Sequence, residues 1–261
     1  MPAALSPLVA DPSSTAILTD FDGTLAPIIT DPAAVQPLPG MASTLNRLAA
    51  QFGLVAVVSG RPVSFLSERL TVVDEVALVG LYGFERSGAR GEVIVEPEAE
   101  KWRSVVEHAA RRLKEELPAD VTVESKGLTV AVHWRSVPAM AGIAAAAVER
   151  EAAGTGLKAH PGRMNLELRP PLDIDKGSAV GALVHGYSAA CFVGDDLGDL
   201  PAFAALDRAS AAEGISTVTI AAVDNESPPE MAAAADVVVS GPQGALDVLR
   251  WLADHAADSR R

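Results

Sequence analysis

Short apolar runs alternate with stretches of helical periodicity along most of the chain. Ser14 to Thr19 is apolar at its centre and follows Asp11-Pro12, which predicts a short buried strand. Met41 to Phe52 sets Leu45, Leu48, Ala49 and Phe52 on one side, as in an amphipathic helix. Leu54-Val55-Ala56-Val57-Val58 and Val76-Ala77-Leu78-Val79 are unbroken apolar runs, as expected of parallel strands covered on both faces, with a helix starting near Val63 between them. The order strand, helix, strand, helix, strand implies a parallel, Rossmann-like α/β sheet with right-handed crossovers.

After Glu85 the pattern changes. Glu98 to Leu117 reads as one long helix with Trp102, Val105, Val106, Ala109, Leu113 and Leu117 as its apolar stripe. Val121 and Val123 then alternate with Thr122, Glu124 and Lys126. Beyond a tight turn at Gly127, Leu128, Val130, Val132 and Trp134 alternate with Thr129, Ala131, His133 and Arg135. A helix over 138–153 follows, then a strand over 156–160, then a strand in which Met164, Leu166 and Leu168 oppose Asn165, Glu167 and Arg169. Period-two alternation gives a sheet one apolar face, for packing on the two helices, and one polar face. The polar face would carry Glu124, Lys126, His133, Arg135, Glu167 and Arg169, a set equally consistent with plain solvent exposure. An α-β-β-α-β-β module, residues 86–170, is therefore inserted into a parallel core formed by 1–85 and 171–261. The core pattern resumes with a helix from Asp175-Lys176-Gly177 to His185 and a strand over Ala189–Val193. Strands over 217–221 and 236–239, a closing helix over 245–253 and a frayed tail at Asp258–Arg261 complete it.

Composition narrows the partners. The 261 residues are 49% hydrophobic, enough for a sizeable core, and carry a net charge of −13. So acidic a chain disfavours nucleic acid and anionic membrane, which need a basic face. It leaves room for a phosphorylated substrate in a locally basic pocket. The single cysteine, Cys191, excludes an intramolecular disulfide, lies in an apolar run as a buried thiol, and fits a reducing cytoplasm. The start, Met1-Pro2-Ala3-Ala4-Leu5-Ser6-Pro7, has no basic segment and no sustained apolar core, so no signal peptide is expected. No run reaches the ~18 apolar residues of a membrane span; the longest, Val137 to Val148, is alanine-rich and reads as helix.

The chemistry gathers at predicted strand ends. Asp20-Phe21-Asp22-Gly23-Thr24-Leu25 follows the first strand, and Gly23 frees the backbone to turn. In an open α/β sheet this is where ligands bind. The i, i+2 spacing sets two carboxylates at one opening, where one can attack and the other move a proton. Ser59-Gly60-Arg61-Pro62 ends the second strand just before a helix, offering a hydroxyl and backbone N–H groups to a phosphate. Gly194-Asp195-Asp196-Leu197-Gly198-Asp199 clusters acids on a glycine turn after another buried strand, a hard-cation site by type. With Lys176 opening a helix, a nucleophile, a proton carrier, a cation and a metal site are all available, the parts phosphoryl transfer needs.

Asp-Phe-Asp-Gly-Thr-Leu resembles the first motif of the haloacid-dehalogenase-like (HAD-like) phosphohydrolases, and Ser59-Gly60-Arg61 is similar to their second. The chain looks like a trehalose-6-phosphate phosphatase over nearly its whole length, on Asp20–Pro27, Ser59–Pro62, Glu124-Ser125-Lys126-Gly127 with His133-Trp134-Arg135, Glu167-Leu168-Arg169-Pro170, Asp175-Lys176-Gly177 and Gly194-Asp195-Asp196. The resemblance implies a HAD-like core with an inserted α+β cap. It implies Mg²⁺ held by the Asp20 carboxylate, the Asp22 backbone carbonyl and Asp195, with Asp196 and Asp199 supporting these ligands. Asp20 would attack phosphorus, and Asp22 would protonate the leaving oxygen and then activate water. Ser59, Gly60, Arg61 and Lys176 would hold the phosphate. Cap closure would bring Glu124, Lys126, His133, Arg135 and Glu167 to the sugar. The chain departs from the family's pattern at Gly198 and Leu200, beside the metal site, and at Tyr82, where a sugar-contacting His is usual. Rival readings are a capped phosphatase for sucrose phosphate or a glycosyl-phosphoglycerate, a phosphomutase, a dehalogenase and a catalytically idle regulatory homologue. A trehalose-phosphate synthase stays open as a partner.

Overall fold

The computed structural model describes residues 2–225 and 227–256; the tail expected to fray, Asp258–Arg261, lies outside them. Contacts divide the chain into two compact units, Met1–Ile94 with Ile174–Arg261, and Val95–Asp173. The second begins nine residues later and ends three residues later than the insert of 86–170 read from the sequence.

In the first unit the strands are β1 (Thr15–Thr19), β2 (Leu54–Val58), β3 (Val76–Gly80), β4 (Glu85–Ser87) and β5 (Val93–Val95), the last crossing the unit boundary. Its helices up to that point are α1 (Pro2–Ala10), α2 (Met41–Ala49) and α3 (Val63–Leu70). The second unit contains α4 (Pro97–Glu100), α5 (Arg103–Glu116), β6 (Thr122–Ser125), β7 (Val130–His133), α6 (Ala141–Thr155), β8 (Lys158–Gly162) and β9 (Asn165–Arg169). The first unit then resumes with α7 (Lys176–Val184), β10 (Ala189–Gly194), α8 (Leu200–Glu213), β11 (Ser216–Val223), α9 (Pro229–Ala234), β12 (Val237–Ser240) and α10 (Gly241–Ala256).

Among the described residues the first unit's sheet has the order β12-β11-β10-β1-β2-β3-β4-β5. It is parallel from β12 to β3, and β4 returns antiparallel on β3. Unbroken apolar runs are needed because both faces are covered: Ile17, Val55, Val57 and Cys191 pack with α1, α2, α3 and α10, while Leu18, Ala56, Val58 and Phe192 pack with α7, α8 and α9. β1 lies between β10 and β2, so the strand order reverses there and the carboxyl ends of β1 and β10 open a crevice. Helix α1 carries no readable period, yet Leu5 and Leu8 are fully buried against the core.

In the second unit α5 and α6 cover one face of the antiparallel sheet β6-β7-β9-β8 through Val106, Ala109, Leu113, Ala144, Ala147 and Val148, which meet Val130, Val132 and Leu168. The helix read as continuous over 98–117 is divided: the Trp102 N–H bonds to Ala99 O, tightening the turn between α4 and α5. The cross-strand register sets Glu124, Ala131, Glu167 and His160 in one row on the opposite face, with Thr122, His133, Asn165 and Gly162 in the next.

Candidate active site

The Asp20 N–H bonds to Val193 O at 2.8 Å, carrying the β1–β10 ladder one residue past β1 and fixing the carboxylate at the crevice. The chain then folds tightly, with the N–H groups of Leu25 and Ala26 both bonding Phe21 O. Gly23 sits at φ +78°, and a Cβ there would lie 2.1 Å from Asp195 Oδ2. Only glycine fits, because both its handedness and its empty side are used. The Thr24 hydroxyl reaches Asp195 Oδ1 at 3.3 Å.

Asp175 caps α7 by accepting from the Ser178 N–H, and this cap delivers Lys176 in the first turn. Lys176 Nζ lies 2.7 Å from Asp20 Oδ1 and 2.6 Å from Asp199 Oδ1. Asp199 is fully buried, and its other oxygen accepts from the N–H groups of Asp195 and Asp196 at 2.9 and 3.2 Å. It therefore shapes the Asp195 loop and anchors Lys176 at once. Asp196 itself accepts from the Gly198 N–H at the turn. Ligand atoms of Asp20, Asp195 and Asp199 all lie within 4.8 Å of one another.

Burial pushes the Asp20 carboxyl up to about 8; Lys176 opposes that rise and Asp199 adds to it. Burial draws Lys176 down, but Asp199 and Asp20 outweigh it, so the ammonium is held well above its usual range. Lys176 thus pairs with both Asp20 and Asp199, and Asp195 brings a third buried acid to the same cluster. A carboxyl whose pKa in the folded chain exceeds its unfolded value of 3.8 favours folding most at low pH. That contribution fades as pH rises from about 4 through about 8, and a cation bound below pH 8 must displace the Asp20 proton. Oxygen ligands gathered from three buried acids fit a hard divalent cation.

Ser59 follows β2, with its N–H on Val79 O and its hydroxyl accepting from the Arg61 N–H. The guanidinium of Arg61, expected at a phosphate, forks instead onto Asp22, with Nε to Oδ2 at 2.7 Å and Nη2 to Oδ1 at 2.9 Å. It stacks 4.5 Å over Phe65, which meets Phe21 edge-on. Leu81 and Tyr82 both take left-handed backbone, at φ 47° and 65°, and bond back to Arg61 O and Ser59 O. A Cβ at Gly60 would strike the Tyr82 hydroxyl. Cys191 is fully buried with its thiol pushed up to about 12 by burial, so it stays protonated and inert.

The polar sheet face of the second unit forms its own cluster. Glu167, 3% exposed, accepts from Lys126 Nζ at 3.1 Å, Thr129 Oγ1 at 2.6 Å, and Arg169 Nη2 and Nε at 3.1 and 3.3 Å. His133 Nε2 lies 2.8 Å from Glu124 Oε2, and Arg135 lies in the turn past β7. Thr129, His160 and Arg169 were not among the candidate ligands read from the sequence. Sequence alternation puts Arg169 on this face, and puts Thr129, just before β7, on it too. His160 needed the register of β8 on β9.

A parallel sheet with Asp20, Ser59, Lys176 and Asp195 at strand ends and helix starts, plus an α+β insertion, defines a HAD-like core with a cap. The chain belongs to the trehalose-phosphatase family, whose model matches residues 18–238. It is 34% identical over 249 residues to a trehalose-phosphate phosphatase of Mycolicibacterium paratuberculosis, covering 92% of this chain and 62% of that protein. It is 35% identical over 198 residues to one of Mycobacterium tuberculosis, covering 72% and 50%. The chain thus spans less than two thirds of the length of these curated relatives. In fold it is similar to a crystal structure described as a trehalose-6-phosphate phosphatase related protein (TM-score 0.77, 23% identity, covering 93% of this chain and 99% of that one). It is also similar to the C-terminal domain of the C. albicans trehalose-6-phosphate phosphatase (TM-score 0.77, 22% identity, covering 97% and 96%).

Proposed function

We propose that the chain is a Mg²⁺-dependent phosphatase that hydrolyses trehalose 6-phosphate to trehalose and phosphate through an aspartyl-phosphate. The observation that carries this reading is the buried Asp20–Lys176–Asp199 chain beside Asp195, set in a chain of this family. A carboxylate oxygen of Asp20 forms a bond to phosphorus while the bond from phosphorus to the sugar oxygen breaks. Asp22 gives that oxygen its proton, which requires it to be protonated and released from the Arg61 fork that holds it as a carboxylate here. Asp22 then takes a proton from water as the water oxygen attacks phosphorus, which releases phosphate and restores Asp20. Ser59, the Gly60 backbone and Lys176 hold the phosphoryl oxygens. Asp20, the Asp22 carbonyl and Asp195 would hold Mg²⁺, with Asp196 and Asp199 shaping their loop. When bound, the ion neutralises charge on the phosphoryl oxygens. In the second unit, acting as a cap, the sheet face built on Glu124, Lys126, His133, Arg135 and Glu167 reads the sugar.

The core motifs suit other capped sugar-phosphate phosphatases as well, so the sugar rests on that face. The C-terminal domain of a protein described as a Candida albicans trehalose synthase regulatory protein shares the fold (TM-score 0.63, 16% identity), so the activity is argued from the site and not from the fold. The intact set of strand-end acids favours catalysis over a regulatory role. Among the described residues no helix is long and apolar enough to cross a membrane. We place the protein in the cytoplasm on its single buried cysteine, and a trehalose-phosphate synthase is the partner to test by co-purification.

Phosphate release from trehalose 6-phosphate should stop in excess chelator and return with added Mg²⁺. The Mg²⁺ concentration for half-activity should fall as pH rises from 6 towards 8, because less of the Asp20 proton then has to be displaced. Full activity in chelator would remove the metal from the mechanism.

A further inference from the structure

Strand β4 is three polar residues long, and nothing in its own pattern calls for a strand. What it carries explains it. β4 turns back on β3 and pairs Glu85 with Gly80. The Glu85 side chain is buried, and its Oε2 accepts from the Val63 N–H at 2.9 Å. Val63 is the first residue of α3, so a buried carboxylate sits at the positive end of that helix. The Val63 N–H is therefore spent inside the protein and is not offered to a phosphate.

The rest of the turn grips the same loop. The Leu81 N–H bonds to Arg61 O at 3.0 Å, and the Tyr82 N–H bonds to Ser59 O at 2.9 Å. Making both bonds takes two successive left-handed residues, neither of them glycine, a conformation that L-residues resist and that persists only where the surroundings hold it. A Cβ at Gly80 would lie 2.6 Å from the Val63 nitrogen and 2.8 Å from Arg61 O, so the two backbones touch. Gly60 leaves the loop free to bend, and its shape is imposed from outside by residues 80–85.

We propose that Glu85 is a positioning residue: by bonding the first N–H of α3 it fixes the Ser59–Arg61 loop in the shape that receives the phosphoryl group. This rests on the reading that Ser59 and the Gly60 backbone hold that group. Glu85 acts through the backbone of the loop, not on the reacting atoms.

The test uses the full chain, with kcat/KM for trehalose 6-phosphate and for p-nitrophenyl phosphate, the Ki for inorganic phosphate, and melting curves. Glu85→Ala should lower kcat/KM roughly tenfold or more on both substrates and raise Ki at least about threefold, because all three ligands enter through the phosphoryl group. Glu85→Gln keeps an oxygen that can accept from Val63, and should restore both quantities to within about threefold. Gly80→Ala adds a methyl against the loop at an ordinary φ of −99°, and should reproduce the losses of Glu85→Ala. A merely structural role would lower the melting temperature and leave kcat/KM and Ki unchanged in the folded variant, which would overturn the proposal. A Glu85→Gln protein as impaired as Glu85→Ala, or a loss confined to trehalose 6-phosphate, would also overturn it. If Glu85→Ala does not fold, unchanged constants in Gly80→Ala overturn it instead. Ser59→Ala is the reference: an unchanged Ki there would overturn both this proposal and the reading beneath it.

Discussion

Asp20→Asn should abolish turnover while the protein stays folded. Asparagine keeps the shape of the side chain but offers no carboxylate to bond phosphorus. A covalent catalyst without its nucleophile loses at least about 10⁴-fold in rate, or about 5.4 kcal/mol at 1.36 kcal/mol per decade. The fold should tolerate the change. Lys176 keeps Asp199 at 2.6 Å, and one acid is withdrawn from a buried cluster of three. The metal-free variant should therefore melt no lower than the parent, and the difference should favour the variant more at pH 8 than at pH 5, where Asp20 is already protonated. Steady-state rates and paired melting curves check both halves. Readily measured turnover in a contamination-free preparation would reject Asp20 as the nucleophile.

Gly23→Ala should be nearly as damaging, for a reason that lies outside the reaction. The new methyl would fall 2.1 Å from Asp195 Oδ2 and 2.3 Å from its Cγ. Asp195 is 2% exposed and has little room to retreat. Alanine also resists the φ of +78° at a cost of about 1–2 kcal/mol. Asp195 must swing away, the Thr24 contact breaks, and the cation cluster loses an acid. A loss of roughly 100-fold or more in kcat/KM should accompany a large rise in the Mg²⁺ needed for half-activity. Gly214→Ala separates the two penalties. That glycine has φ +71° but nothing within 4 Å of its would-be Cβ, so it should lose about 1 kcal/mol of stability and no activity. Equal activity in the two variants would mean that the contact between Gly23 and Asp195 does not govern the site.

These two residues also mark what the sequence could tell. Gly23 was legible as a turn because Asp-Phe-Asp-Gly-Thr-Leu follows an apolar run, and the parallel core was legible because its strands are continuous apolar stretches bounded by turn residues. The insert was legible through its change from one period to another. Short elements with no period were not: α1, with Pro7 inside it, and the three-residue strand β4 of Glu85, Arg86 and Ser87. The division at Trp102 was hidden because the apolar stripe runs across it. Side-chain pairings between loops were hidden too. Asp199 reads as one acid in a turn, and only the fold shows it bonding two backbone N–H groups and Lys176. Arg61 reads as a phosphate ligand by position, and nothing local reveals that Asp22, just past the neighbouring strand β1, takes its fork.

The most direct measurement is phosphate release by the unaltered protein, with Mg²⁺, from trehalose 6-phosphate, sucrose 6-phosphate and glucose 6-phosphate side by side. Each hydrogen bond between a charged group and a sugar hydroxyl is worth about 1.5–3 kcal/mol, so a sugar that engages the polar sheet face should gain at least tenfold in kcat/KM. The account predicts that trehalose 6-phosphate is hydrolysed at least tenfold faster than either of the others. Faster hydrolysis of sucrose 6-phosphate or glucose 6-phosphate, or no release from any of the three, would contradict it.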